Sequence, residues 1–268
     1  MSKYKTIIWD LDGTLMDTLQ DLMASVNHAL QQNGMPERTY QEVRSFVGNG
    51  VRRLIDLSVP EGTESALADK VFADFKSYYI VHCQDQTGLY DGIAETLQEL
   101  KRRGIRMAVV SNKLQSGVTE LSMSQVRTVG REDTICLKDY IEVAIGERPE
   151  MARKPAADMV NKAFEEMSLD RSCAVYIGDS EVDLATARNA GLPCISVLWG
   201  FRDKDFLIEQ GAETFVGRPA EILQFVEEDP QESEYEKYRR MQIEQFEDDI
   251  TEGRCYPEMP EGQFVRSK

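Results

Sequence analysis

From Asp17 to about Gly88 almost nothing in the sequence reads as strand, yet strand-like runs stand on both sides of that stretch. Before it, "YKTIIW" is a short apolar run that breaks at Asp10 and is followed by the turn signal "DGT". After it the pattern alternates. "GIAETLQELKRRG" is an amphipathic helix with Ile93, Leu97 and Leu100 inward and Gly104 at its end, and "IRMAVVS" is a strand reaching Ser111. "GVTELSMSQV" reads as helix, "YIEVAIG" as strand, "KPAADMVNKAFEEM" as helix and "CAVYIG" as a strand ending at Asp179. "VDLATARNAG" (helix), "PCISVLWG" (strand) and "AEILQFVEE" (a last helix) complete the series. Short buried strands separated by helices demand a parallel sheet covered on both faces. The expected fold is therefore α/β, with a parallel sheet domain over residues 1–16 and 89–228.

The interrupting segment, 17–88, is expected to be an all-helical cap. Leu19 to Gln32 reads as helix, with Leu19, Leu22, Val26, Ala29 and Leu30 on one face, Thr18 as candidate cap residue, and Gly34 and Pro36 as its stop. Further helices are expected at Thr39–Val47, Val51–Leu57 and about Glu64–His82. From Asp229 to Lys268 the chain is charged and weakly periodic, an extension expected to be part helix and part disordered.

Charge narrows the partners. The formal net charge is −16, and Glu227 to Lys268 alone holds 13 acids against 6 bases. A nucleic-acid backbone or an anionic membrane needs a basic surface, so neither is an expected partner. No run approaches the roughly 18 apolar residues of a spanning helix, and the first strand begins too early for a secretory signal. The expected location is cytoplasmic. The five cysteines form no paired spacing and there are two histidines, which argues against a structural zinc site. An anionic substrate would need a locally positive site.

Four features fall at the carboxyl ends of expected strands: Asp10 with Asp12, Ser111 with Asn112, Lys154 in "RKP", and Asp179 with Asp183. Open parallel sheets place ligands outside those ends. Asp10 and Asp12 share a face in extended chain. With Asp179 they make an oxygen-rich site suited to a hard cation such as Mg²⁺. Lys154, Ser111 and Asn112 supply donors for phosphoryl oxygens.

On these residues the sequence resembles the haloacid-dehalogenase-like (HAD) hydrolases. "DLDGTLMDT", "VVSNK", "RKPAAD" and "GDSEVDL" are similar to the family's four signatures, in the family's order. The likeness is strongest to the phosphoglycolate-phosphatase-type branch, whose helical cap follows the first strand. The resemblance implies a Rossmann-like core and Mg²⁺ as cofactor. It implies Asp10 as the nucleophile that becomes an aspartyl-phosphate, and Asp12 as the acid that protonates the leaving alcohol and then activates water. It implies that the Asp10 side chain, the Asp12 carbonyl oxygen, Asp179 and Asp183 serve the metal, the last directly or through water. Ser111 and Asn112 would hold the phosphoryl oxygens, and Lys154 would neutralise them while orienting Asp10. Dehalogenase relatives lack an acid at the position of Asp12, which places phosphate transfer ahead of carbon–halogen cleavage.

Substrate choice is expected to lie in the cap stretch "FVGNGVRRLIDL", where Gly48 and Gly50 turn into a helix whose N-terminus can meet an anion. Gly50 and Arg52 (or Arg53) are the candidate substrate contacts. The expected partner is a small phosphorylated metabolite, phosphoglycolate first. A sugar-phosphate mutase of the beta-phosphoglucomutase type and a catalytically silent phosphate-binding module remain as alternatives. A homo-oligomer or a contact made by the acidic tail is left open.

Overall fold

A computed structural model of the protein describes residues 4–226, so the expectations for the acidic tail lie outside the described residues. Six strands form the central sheet: β1 (Thr6–Trp9), β4 (Arg106–Leu114), β7 (Val143–Glu147), β8 (Ala174–Gly178), β9 (Cys194–Val197) and β10 (Phe215–Val216). They run in the order β10-β9-β8-β1-β4-β7, with every pairing parallel. The chain steps outward from β1 to β4 and β7, then returns to lay β8 on the other side of β1. That reversal opens a crevice at the carboxyl ends of β1, β4 and β8.

Every residue of β1 is buried because both faces of the sheet are covered. Ile7 and Trp9 join Met107, Val109, Val175 and Ile177 in one apolar layer. Ile8 points the other way, with Ala108, Val110 and Tyr176. The first layer is closed by α5 (Ile93–Arg102) and α6 (Gln115–Met123), through Leu97, Leu100, Val118 and Leu121. The second is closed by α7 (Asp158–Met167) and α8 (Glu181–Ala190), through Met159, Val160, Ala163 and Ala187. A last helix, α9 (Lys204–Glu209), packs Leu207 beside Leu184 and Ala212.

The helical segment leaves and rejoins the core at one place. There β2 (Met16–Asp17) pairs antiparallel with β3 (Gly88–Leu89). Between them lie α1 (Leu19–Gln32), α2 (Tyr40–Phe46), α3 (Gly50–Ser58) and α4 (Ser65–His82). Leu22, Val26 and Leu30 of α1 share an apolar cluster with Val71 and Phe75 of α4 and with Leu54 and Ile55 of α3. Thr39 and Glu42 cap α2 reciprocally. At α1 the expected cap differs: the Thr18 hydroxyl is buried without a partner, and the Asp17 Oδ1 accepts from the Leu19 N–H at 3.3 Å. The buried carboxylate of Asp21 accepts the N–H groups of Gln86 and Thr87, which pins the returning chain to α1.

Three other elements depart from the sequence expectation. The helix expected to run through Val126 stops at Met123, and β5 (Gln125–Arg127) pairs antiparallel with β6 (Thr134–Cys136). Helix α7 begins at Asp158, so Lys154 sits in the loop before it. The segment Pro219–Phe225 is 3-10 rather than α-helical. Its three-residue period aligns Pro219, Ile222 and Phe225 toward the core, which an α-helix would splay apart. Among the described residues no helix is long and apolar enough to cross a membrane.

Candidate active site

Strand β1 delivers Asp10 at its carboxyl end, and β8 delivers Asp179 directly after Gly178. Asp183 sits in the first turn of α8, where its Oδ2 accepts from the N–H of Ser180 at 3.1 Å and from its hydroxyl at 2.6 Å. Local capping therefore fixes one oxygen of Asp183 and aims the other at the crevice. There Lys154 donates from one Nζ to Asp10 Oδ1 at 2.6 Å, to Asp183 Oδ1 at 2.8 Å and to the Tyr176 Oη at 3.1 Å. Asp179 Oδ2 accepts the Phe201 N–H at 2.6 Å.

Asp10, Asp179 and Asp183 each present a carboxylate oxygen within 4.8 Å of the others, and all three are buried. One ammonium against three buried carboxylates is an incomplete charge balance. Burial, and after it the charge of Asp183, push the Asp10 carboxyl well above the usual carboxylate range despite Lys154. The same two causes push Asp179 up to about 7. Burial works against the charge on Lys154, but Asp10 and Asp183 outweigh it and hold the ammonium firmly protonated. An all-oxygen donor set with surplus negative charge fits a hard divalent cation. The backbone leaves room for that cluster: a Cβ on Gly13 would lie 2.5 Å from Asp179 Oδ2, one on Gly200 2.3 Å from Asp179 Cβ, and one on Gly178 2.3 Å from Asp183 Cγ.

Asp12 stands apart from the carboxylate cluster. Its Oδ1 accepts from Lys113 Nζ at 3.0 Å, and that ammonium also donates to the Tyr79 Oη of α4 at 2.5 Å. On β4 the Ser111 Oγ accepts the Lys113 N–H at 3.1 Å. Asn112 donates from its amide to the carbonyls of Gly48 and Lys154, each at 3.1 Å, and its Oδ1 is buried without a partner. These residues and the helices above them enclose a cleft of about 50 Å³. Its upper wall is apolar, made by Leu22, Val47, Val51 and Leu54.

Asp10, Asp12, Ser111, Asn112, Lys154 and Asp179 all face this cleft, with Gly50 at its rim and Asp183 behind Lys154. Gly50 takes φ +79° as it opens α3, and Asn49 gives that helix no side-chain cap. Arg52 is not brought to the cleft. It pairs with Asp56 at 2.9 Å and with Asp69 on the helices' outer face, because the half-turn of α3 from Gly50 to Arg52 carries it away from the rim. The unforeseen contributors are Lys113, Tyr79, Tyr176 and the main chain of Gly200 and Phe201. Lys113 had a legible signal, a lysine directly after the apolar run of β4 and beside Ser111 and Asn112. The loop after Trp199 had none, since it acts through backbone.

That loop also joins the two layers. The Trp199 Nε1 donates to the Thr14 carbonyl at 2.9 Å, and the Phe201 side chain enters the helices' apolar cluster. Arg202, paired with Glu181 at 2.8 Å, donates to the carbonyls of Arg44 at 3.0 Å and Val47 at 2.9 Å. In return Arg44 donates to Asp203 at 3.0 Å and to the Gly200 carbonyl at 3.3 Å.

A parallel sheet with carboxylates gathered at the ends of two adjacent strands, roofed by inserted helices, defines a capped α/β protein with a carboxylate-lined site. Residues 7–197 match the family model described as haloacid dehalogenase-like hydrolase, and the chain belongs to that family. It is 36% identical over 199 residues to the phosphoglycolate phosphatase of Rhodobacter capsulatus, covering 73% of this chain and 85% of that one. It is 34% identical over 204 residues to the phosphoglycolate phosphatase of Caulobacter vibrioides, covering 74% and 81%. A crystal structure from Lactobacillus delbrueckii subsp. bulgaricus superposes with TM-score 0.75 at 32% identity, covering 84% of this chain and 100% of the other. Membership and the carboxylate cluster together make the protein an enzyme of the phosphatase kind.

Proposed function

We propose that the protein is a Mg²⁺-dependent phosphomonoester hydrolase working through an aspartyl-phosphate, with phosphoglycolate as its leading substrate. The observation that carries this reading is the contact of Lys154 with Asp10 and Asp183 beside Asp179. Lys154 holds one oxygen of Asp10 and leaves the other to attack phosphorus. As that O–P bond forms, the ester P–O bond breaks and Asp12 gives its proton to the departing alkoxide. Asp12 then takes a proton from water, whose oxygen attacks phosphorus and frees Asp10 and inorganic phosphate. Ser111 and Asn112 hold the phosphoryl oxygens, and Lys154 offsets their charge. Asp10, Asp179 and the Asp12 carbonyl would hold Mg²⁺, with Asp183 serving it directly or through water, and the ion would supply charge neutralisation at the transferring group.

The small cleft and its apolar roof favour a short leaving group over a sugar or nucleoside. The phosphoglycolate phosphatases among the relatives support the same choice. Residues 17–88 act as the cap that excludes water during transfer, flexing where β2 meets β3. Steady-state turnover with Mg²⁺ on phosphoglycolate, glucose 1-phosphate, pyrophosphate and nucleoside monophosphates tests the proposal. Phosphoglycolate is expected to give the highest kcat/KM, and Asp10→Asn to abolish turnover. Tenfold greater efficiency on another ester would remove phosphoglycolate and keep the phosphatase. An inactive wild type, or an equally active Asp10→Asn, would remove the mechanism. Isomerised sugar phosphate in place of free phosphate would mark a mutase.

A further inference from the structure

Two lysines line the cleft, and the reaction above uses one of them. Lys154 is committed to Asp10, Asp183 and Tyr176. Lys113, equally buried, meets Asp12 Oδ1 and the Tyr79 Oη. An ammonium carries three donors, so a third remains after these two contacts. Burying a cation is costly unless it is paired and hydrogen-bonded, and Asp12 and Tyr79 meet that requirement for Lys113.

The position of that ammonium points to what it meets. The ester oxygen that departs must lie within hydrogen-bond reach of Asp12. Lys113 Nζ sits 3.0 Å from the same carboxylate, on the side of α4. A group carried one or two carbons beyond the ester oxygen therefore arrives beside the ammonium. Nothing else on the upper wall competes for an anion there, since Leu22, Val47, Val51 and Leu54 are apolar. None of the four cap arginines lines the cleft: Arg38 pairs with Glu42, Arg44 with Asp203 and Arg52 with Asp56 and Asp69, and Arg53 is exposed.

We infer that Lys113 reads the leaving group: its ammonium, braced by the Tyr79 hydroxyl, binds a carboxylate carried close to the ester oxygen. The enzyme thereby prefers phosphorylated hydroxy acids to phosphate esters of neutral alcohols. The inference rests on the assignment of Asp10 and Asp12 given above. Because Tyr79 belongs to α4, the carboxylate contact is completed only when the helices cover the cleft.

The test compares 2-phosphoglycolate with its uncharged primary amide, in the wild type, Lys113→Met and Tyr79→Phe. In the wild type kcat/KM should favour the acid by about thirtyfold or more, the scale of a charge-assisted hydrogen bond. In Lys113→Met that ratio should fall at least about tenfold, with most of the loss in KM for the acid; Tyr79→Phe should lower it several-fold. The ratio is taken within each variant, so a partly folded preparation does not alter it. A wild type that treats both esters alike, or a Lys113→Met that loses both equally, would overturn the inference and leave the phosphatase standing. A wild type that hydrolyses neither would overturn both.

Discussion

Asp179 shows most directly how one side chain ties stability to pH. Burial and the neighbouring Asp183 raise it from an ordinary 3.8 to about 7. A carboxyl whose folded value lies above its unfolded one binds extra protons in the folded state, so the fold loses stability as pH climbs between the two values. A divalent cation binds the ionised form and should recover that loss. The rise in melting temperature on adding Mg²⁺ should therefore be larger at about pH 8 than at about pH 5, and Asp179→Asn should flatten the difference. Equal shifts at both pH values in the wild type would refute a metal role for this carboxylate. Asp10 adds to the trend in the same direction, since burial raises it too.

At the scale of elements, the loop from Trp199 to Arg202 demands the closest fit. A Cβ at Gly200 would lie 2.3 Å from Asp179 Cβ and 2.4 Å from the Gly13 carbonyl oxygen, both on tightly held chain. Gly200→Ala should cost about 1–3 kcal/mol by overpacking and weaken Mg²⁺ binding by moving Asp179, as read by denaturant unfolding and by metal titration. Unchanged stability with unchanged metal affinity would show that the loop yields freely. This requirement could not be read from sequence, because it concerns backbone brought near Asp179 by the fold. Asp10, Asp179 and Ser111 were legible for the opposite reason: β1, β8 and β4 are buried on both faces and read as apolar runs broken by polar residues at their ends. The hairpin of β5 and β6 escaped notice because three-residue strands leave too little alternation to outweigh the helical pattern before them. Arg52 looked suited to an anion in sequence, but helical geometry turns it toward Asp56 and Asp69.

Over the whole molecule, a net charge of −16 coexists with a site meant for anions, and the division of labour between layers explains how. The core supplies cations at the cleft floor, while the helices supply an apolar roof. Arg202 and Arg44 bind the two together through main-chain carbonyls on either side. Removing one clasp should loosen the roof. Arg202→Met is expected to lower stability by about 2 kcal/mol, through lost charge-assisted hydrogen bonds and an unpaired Glu181, and to raise KM for phosphoglycolate several-fold. Chemical unfolding and steady-state kinetics measure the two effects. If neither moves, the carbonyl contacts are incidental to closure.

The arrangement of aromatic residues has a practical corollary. The protein contains two tryptophans, and both stand at the catalytic edge of the sheet. Trp9 directly precedes Asp10 within β1, and Trp199 bonds the Thr14 carbonyl one residue before Gly200. One indole adjoins Asp10 and the other the loop that grips Asp179. Tryptophan emission therefore arises only beside Asp10 and beside the loop that holds Asp179, and a Mg²⁺ titration read in the tryptophan band is expected to report on both sides of the carboxylate cluster without an attached dye.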